Sequence, residues 1–211
     1  MCDARLARQV ARIADDMIEF IKKIKWWLMG IILLGALAFW IDRWRTYTES
    51  SQDAVILAAA AKHRISPALV KAVVWQESWF NPNAKGSSGE IGLMQIMKDT
   101  GNDWARAENV RLFVPERLFE PAKNTECGAW YLRRLLTRYS RTDNPLPYAL
   151  AAYNAGPGNV NKWSTGAGAT NSQVFLRQMT FPGTRKYVES VTKRFRYYAK
   201  VFPPPARKSG A

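Results

Sequence analysis

The residues best suited to chemistry lie in the stretch "WQESWFNPNAKGSSGEIGLMQI", positions 75–96, where one carboxylate, Glu77, is set among Trp75, Trp79 and Phe80. A helix start is predicted just upstream, with Ser66 as the cap and Pro67 in the first turn. Within that helix Val70, Val73, Val74 and Glu77 fall at i, i+3, i+4 and i+7, so the acid shares the stripe that should face the core. It also comes near the helix C-terminus, where the macrodipole disfavours negative charge. If the stripe is buried at this point, desolvation first and the dipole second hold Glu77 protonated near neutral pH. If the helix end frays, Glu77 turns to water and is an ordinary surface acid. Periodicity alone does not choose between the two. A neutral carboxylic acid in an apolar pocket is what general-acid cleavage of a glycosidic bond requires.

The elements that must position this acid are helical. After a polar run, "RTYTESSQ", the chain reads as helices joined by loops bearing glycine and proline. Ser51 is predicted to cap the alanine-rich "DAVILAAAAKH", and further helices are predicted over 124–140, 145–155 and 184–201, punctuated by "NPLP" and "GPG". Strand-like alternation is scarce, leaving room for at most a short hairpin around 86–93. The fold class is therefore mostly α. The final stretch, 202–211, with "PPPARKSGA", is predicted to be disordered, and no internal repeat is present.

At 211 residues, 47% hydrophobic and 23% charged, the chain has room for one ordinary globular domain and an appendage. Its 31 Lys and Arg against 17 Asp and Glu give a formal net charge of +14, nearly all of it after position 50. So basic a body suits an anionic polymer or surface: nucleic acid, phospholipid or cell-wall material. Two distant cysteines, Cys2 and Cys127, form neither a disulfide framework nor a zinc signature, and a single histidine, His63, rules out multi-histidine metal sites. Cys127 is expected as a small buried residue in a helix, and His63 as a surface residue near a helix end. No metal or cofactor is expected.

Residues 26–41, "WWLMGIILLGALAFWI", carry no charge. As a helix they span about 24 Å, short of a hydrocarbon core of about 30 Å. Trp26, Trp27, Trp40 and Trp44 suit the interfacial belts, and flanking basic side chains can snorkel. Arg8, Arg12, Lys22, Lys23 and Lys25 precede the segment, whereas only Arg43 and Arg45 follow closely. The positive-inside rule then puts the N-terminus in the cytoplasm and everything after position 42 outside. The segment is read as a transmembrane signal anchor. A cleaved leader using "ALA" at 36–38 is one alternative, though it would be unusually long and would contain acids, and a buried core helix is the other, against which the apolar character all round argues. In residues 1–25, Leu6, Val10, Ile13, Met17, Phe20 and Ile24 recur at alternating four- and three-residue steps, as in a cytoplasmic amphipathic helix. Residues 42–52 are read as a linker.

Four blocks, "ESWFNPNA", "GEIGLMQI", "AAYNAGPGNVNKW" and "TRKYVESV", resemble in order and spacing the catalytic domain of SLT-type lytic transglycosylases, lysozyme-like enzymes that cleave bacterial peptidoglycan. The resemblance covers roughly 53–201 and implies a lysozyme-like helical domain. It makes Glu77 the catalytic acid and later the base, and places Gly92, Leu93, Met94 and Gln95 in the wall of the sugar groove. Tyr153 and Asn154 would lie near the acid and the substrate, and Tyr187 would line the cleft. Four positions depart from the pattern: Gly86 where serine is frequent, with Ser87 beside it as a candidate supporting residue; Glu90 in place of alanine; Lys98 in place of proline; and Gly183 in place of glutamate. No second acid belongs to the matched blocks, although Glu90 is near in sequence. The implied reaction therefore uses one carboxyl group and the substrate itself, and leaves 1,6-anhydro ends. The implied partners are peptidoglycan glycan strands, an inner membrane through 26–41 and an envelope-spanning secretion or conjugation apparatus, since a single anchored domain without further wall-binding modules resembles enzymes that serve such machines. Inner-membrane localisation with a periplasmic catalytic domain follows. The alternatives are a lysozyme-type hydrolase and a non-catalytic peptidoglycan-binding scaffold. A nucleic-acid role rests on charge alone, since no recognised binding motif is present.

Overall fold

The computed structural model describes residues 3–202, so Cys2 and the stretch 203–211 expected to be disordered lie outside the described residues. Its α-helices are α1 (Asp3–Ser50), α2 (Asp53–Lys62), α3 (Pro67–Ser78), α4 (Lys98–Ala107), α5 (Pro121–Arg138), α6 (Pro145–Ala155), α7 (Pro157–Trp163), α8 (Ser172–Gln178) and α9 (Pro182–Val201). The expected class, mostly α with at most a short hairpin, is what forms. Pairing among the described residues is limited to the antiparallel bridges Lys85 with Ile91 and Ile91 with Ile96.

Proline sets many of the boundaries. Helices α3, α5, α6, α7 and α9 each begin on one, where the missing N–H would have been unpaired anyway and the fixed φ already suits a helix. This is why α5 and α9 start at Pro121 and Pro182, a few residues before the expected 124 and 184. The short helices α7 and α8 and the polar α4 were not expected from the sequence. Ser51 does not cap α2: its hydroxyl is occupied by the Thr48 carbonyl at 2.8 Å, and Gln52 takes the cap position. The polar run read as a linker is helical through Ser50.

The chain forms two compact units, one ending at Tyr47 and one beginning at Thr48. In the first, α1 presents Trp26, Trp27, Leu33, Phe39 and Trp40 to the surroundings, all more than half exposed. The helical stretch Lys22–Lys62 holds a window of mean hydropathy 1.9, none of it buried, so by length and composition it can cross a membrane.

The second unit is built around α3, which is buried from Pro67 to Val74. It packs on α9, while α2 lies on α5, α5 on α6 and α6 on α9. Cys127 is fully buried in α5. One charge is enclosed with these residues: Lys71, 5% exposed, reaches Asp53 at 2.5 Å and sits 4.1 Å from the Phe202 ring centroid. Phe202, with which the stretch expected to be disordered was to begin, is thus buried.

Candidate active site

Glu77 occupies the penultimate position of α3. The helix stops because the next two residues, Trp79 and Phe80, take left-handed backbone with φ of 50° and 62°. A continued helix would have covered the acid with another turn. Trp75 and Trp79 pack on each other at this helix end, with ring centroids 5.2 Å apart. Glu77 is half-buried. Loss of solvent raises its pKa from 4.5 to about 7, a hydrogen bond from Tyr187 works against that rise, and the nearby Glu90 charge adds to it. Of the two alternatives left open by periodicity, the structure realises the shielded acid.

Tyr187, on α9, donates its O–H to Glu77 Oε1 at 2.6 Å. Burial holds this phenol and that of Tyr153 well above the usual tyrosine pKa, so both act as neutral donors. Tyr153, on α6, donates to the Met94 carbonyl at 2.7 Å, and Ser78 donates to the Leu93 carbonyl at 2.8 Å. These two bonds fasten the loop between α3 and α4 beside the acid.

The "GLMQ" block acts mainly through its main chain. Leu93 and Met94 have fully buried side chains, so they hold the loop down rather than face a ligand. Gly92 has φ 74°, and a Cβ there would lie 2.5 Å from the Leu118 carbonyl and overlap the Asn124 amide. Gln95 donates to the Ala84 and Gly92 carbonyls at 3.2 and 2.9 Å. Ser87 is exposed in the turn and makes no hydrogen bond among the described residues. Asn154 is exposed at the end of α6, its Oδ1 accepting from Thr184 at 2.8 Å.

A residue missed by sequence reasoning organises this loop. Asn124, fully buried on α5, accepts from the Met94 N–H at 2.7 Å and donates to the Ile91 and Leu118 carbonyls at 2.7 and 2.8 Å. Its signal was available: Asn124, Cys127, Gly128 and Tyr131 lie at i, i+3, i+4 and i+7, placing an amide on an otherwise apolar stripe.

A cavity of about 530 Å³ is lined by Gln76, Asn154, Phe181, Thr184, Tyr187 and Ser190, among others; Glu77 does not line it, but is linked to it through the hydroxyl of Tyr187. A second, of about 370 Å³, shares Ser190 and is lined by Trp75, Lys193, Arg194 and Tyr197. The arrangement offers a proton-holding carboxyl group next to a groove with amide, hydroxyl and basic linings, as a polar polymer would need. Elsewhere His63, Glu108 and Glu126 bring ligand atoms within 4.8 Å of one another. There the Lys62 ammonium already bridges both carboxylates, 2.9 Å from Glu108 and hydrogen bonded to Glu126.

A family model described as the transglycosylase SLT domain matches residues 54–176. Among curated proteins, the chain is 36% identical over 136 residues to a soluble lytic murein transglycosylase of Salmonella typhimurium, covering 64% of this chain and 21% of that protein. It is 30% identical over 176 residues to the soluble lytic murein transglycosylase of Escherichia coli, covering 82% and 27%. Among solved structures, an inactive mutant of the lytic transglycosylase Slt from Pseudomonas aeruginosa aligns with a TM-score of 0.63, and the 70 kDa soluble lytic transglycosylase from Escherichia coli with 0.64. Each is 29% identical and covers 70% of this chain and 24% of the other. The chain spans about a quarter of the length of these relatives.

Proposed function

This chain belongs to the transglycosylase SLT domain family, and from that premise we propose that it cleaves the β-1,4 bond between N-acetylmuramic acid and N-acetylglucosamine in peptidoglycan, leaving 1,6-anhydro ends. The observation that carries the reading is Glu77 itself: a shielded carboxyl group with a pKa of about 7, gripped by Tyr187 at the edge of a groove. With Tyr187 donating to Oε1, the transferable proton sits on Oε2. Glu77 gives that proton to the glycosidic oxygen, and the leaving sugar departs. The resulting carboxylate removes the proton from the C6 hydroxyl, whose oxygen closes on C1. One group thus serves first as acid and then as base, which a pKa near neutrality favours in both directions. Water is not consumed.

The apolar stretch of α1 and the basic residues before it support an inner-membrane anchor with the catalytic domain on the periplasmic side. In that setting the enzyme would open the wall locally for an envelope-spanning apparatus.

The test is digestion of purified peptidoglycan by the full chain in detergent, with the products weighed by mass spectrometry. Anhydro ends uphold the reading. Ends heavier by one water replace it with hydrolysis, and absence of release under conditions where the protein binds the wall replaces it with a scaffold.

A further inference from the structure

Two residues of the loop between α3 and α4 fit together sterically. A Cβ on Gly86 would overlap Glu90 Oε2 and would stand 2.7 Å from Glu90 Cδ and 2.9 Å from Gln95 Oε1. The Glu90 carboxylate therefore fills the space that any side chain at position 86 would need. It is held there by the Ser88 N–H at 2.9 Å, while the Gly86 N–H closes the turn onto the Glu90 carbonyl at 2.8 Å.

Gln95 approaches from the other side. Its NH₂ group is committed to the Ala84 and Gly92 carbonyls, which turns Oε1 toward Gly86 and Glu90. Two acceptor oxygens thus converge on one small volume. Among the described residues no donor reaches Gln95 Oε1, and Glu90 Oε2 accepts only from the Ser88 N–H, so both oxygens keep lone pairs for a group carrying O–H or N–H. The loop is fastened to the residue next to the acid, through Ser78 and the Leu93 carbonyl. The Glu90 charge is close enough to raise the proton affinity of Glu77.

We propose that Glu90, given room by Gly86, determines specificity on the partly exposed loop that follows the acid: its carboxylate and the Gln95 side-chain carbonyl form a paired acceptor for a hydroxyl or amide N–H of a glycan bound at Glu77. The inference rests on reading Glu77 as the acid of a glycan-cleaving site.

The test uses the full chain in detergent and four variants: Glu90→Gln, Glu90→Ala, Gly86→Ser and the double variant Gly86→Ser/Glu90→Ala. Glu90→Gln keeps the shape but replaces one acceptor oxygen by a donor. It should raise KM for peptidoglycan about tenfold, the worth of one charge-assisted hydrogen bond, with a smaller change in kcat. Removing a neighbouring like charge favours the ionised acid, so the Glu77 midpoint should also move below about 7 in a ¹³C-carboxyl NMR titration. Gly86→Ser should mimic the loss by expelling the carboxylate, yet add little in the Glu90→Ala background, where only the Gln95 Oε1 approach at 2.9 Å remains. An unchanged KM in Glu90→Gln would overturn the proposal whatever the Glu77 midpoint does, and so would an equal penalty for Gly86→Ser with and without Glu90. The Glu77 titration, together with binding of a chitin oligosaccharide, needs no turnover. The oligosaccharide binding, which should weaken in Glu90→Gln, therefore judges Glu90 even if the wild-type chain leaves peptidoglycan intact, an outcome that would remove only the transglycosylase reading.

Discussion

The Tyr187 hydroxyl donates to Glu77 Oε1 at 2.6 Å across 110 positions of sequence, joining the first residues of α9 to the last of α3. That bond stabilises the charged form of the acid, while burial and the Glu90 charge stabilise the neutral form. The proton affinity of Glu77 is the outcome of this opposition, and it can be moved from either side.

Removing the hydroxyl with Tyr187→Phe deletes the interaction that favours ionisation. The pKa of Glu77 should therefore rise further above about 7, by roughly one pH unit for a bond of ordinary strength. The alkaline limb of the kcat/KM profile should follow it upward. An unshifted limb would show that Tyr187 serves only to pack the groove.

Glu77→Gln should abolish cleavage and also stabilise the fold. Glu77 has a folded pKa of about 7 against an ordinary 4.5. Between these values the native state binds more protons than the unfolded state, so stability falls as pH rises. Glutamine removes that loss. The variant should match wild type near pH 5 and exceed it near pH 8, by about 3 kcal/mol at most. Urea denaturation followed by tryptophan fluorescence at the two pH values measures the difference.

Asn124→Ala removes three buried hydrogen bonds and frees the loop that carries Gly92 to Gln95. A loss of about 3 kcal/mol is expected, with faster amide exchange at Ile91 and Met94 than elsewhere in the domain. Exchange that rises uniformly would mean that Asn124 supports the whole core and not this loop.

The enclosed Lys71 gives an asymmetric prediction. Asp53→Ala leaves an ammonium group buried without its counter-ion and should cost about 3–5 kcal/mol. Lys71→Met, which keeps the volume and leaves a half-exposed carboxylate, should cost markedly less. Comparing the two denaturation midpoints checks the order.

Much of this architecture was legible from local patterns. The i, i+3, i+4, i+7 stripe put Glu77 on the inner face of α3, and prolines located the starts of α3 and α6 at Pro67 and Pro145. What periodicity could not supply was whether the end of that stripe is shielded. This depends on burial by elements brought in by tertiary folding, and the proton affinity is then adjusted by Tyr187 of α9 and Glu90 of the loop. The block "GLMQ" pointed to the right segment but suggested a wall of side chains, whereas Leu93 and Met94 point into the core. Asn124 escaped notice because a polar residue on a helix is ordinarily a solvated one. Helix α4 escaped because "KDTGNDWARA" combines glycine with polar residues of weak helix propensity, and only Trp104, Ala105 and the space at Gly101 tie it to the core.

The left-handed turn of Trp79 and Phe80 has a thermodynamic consequence of its own. Each non-glycine residue in that region carries about 1–2 kcal/mol of unfavourable conformational energy, and here two stand in succession immediately downstream of the acid. Asparagine at position 79 would tolerate the same φ at lower expense. Heat tolerance is therefore most readily gained at the seam where α3 ends, without altering Glu77, Tyr187 or any residue of the core.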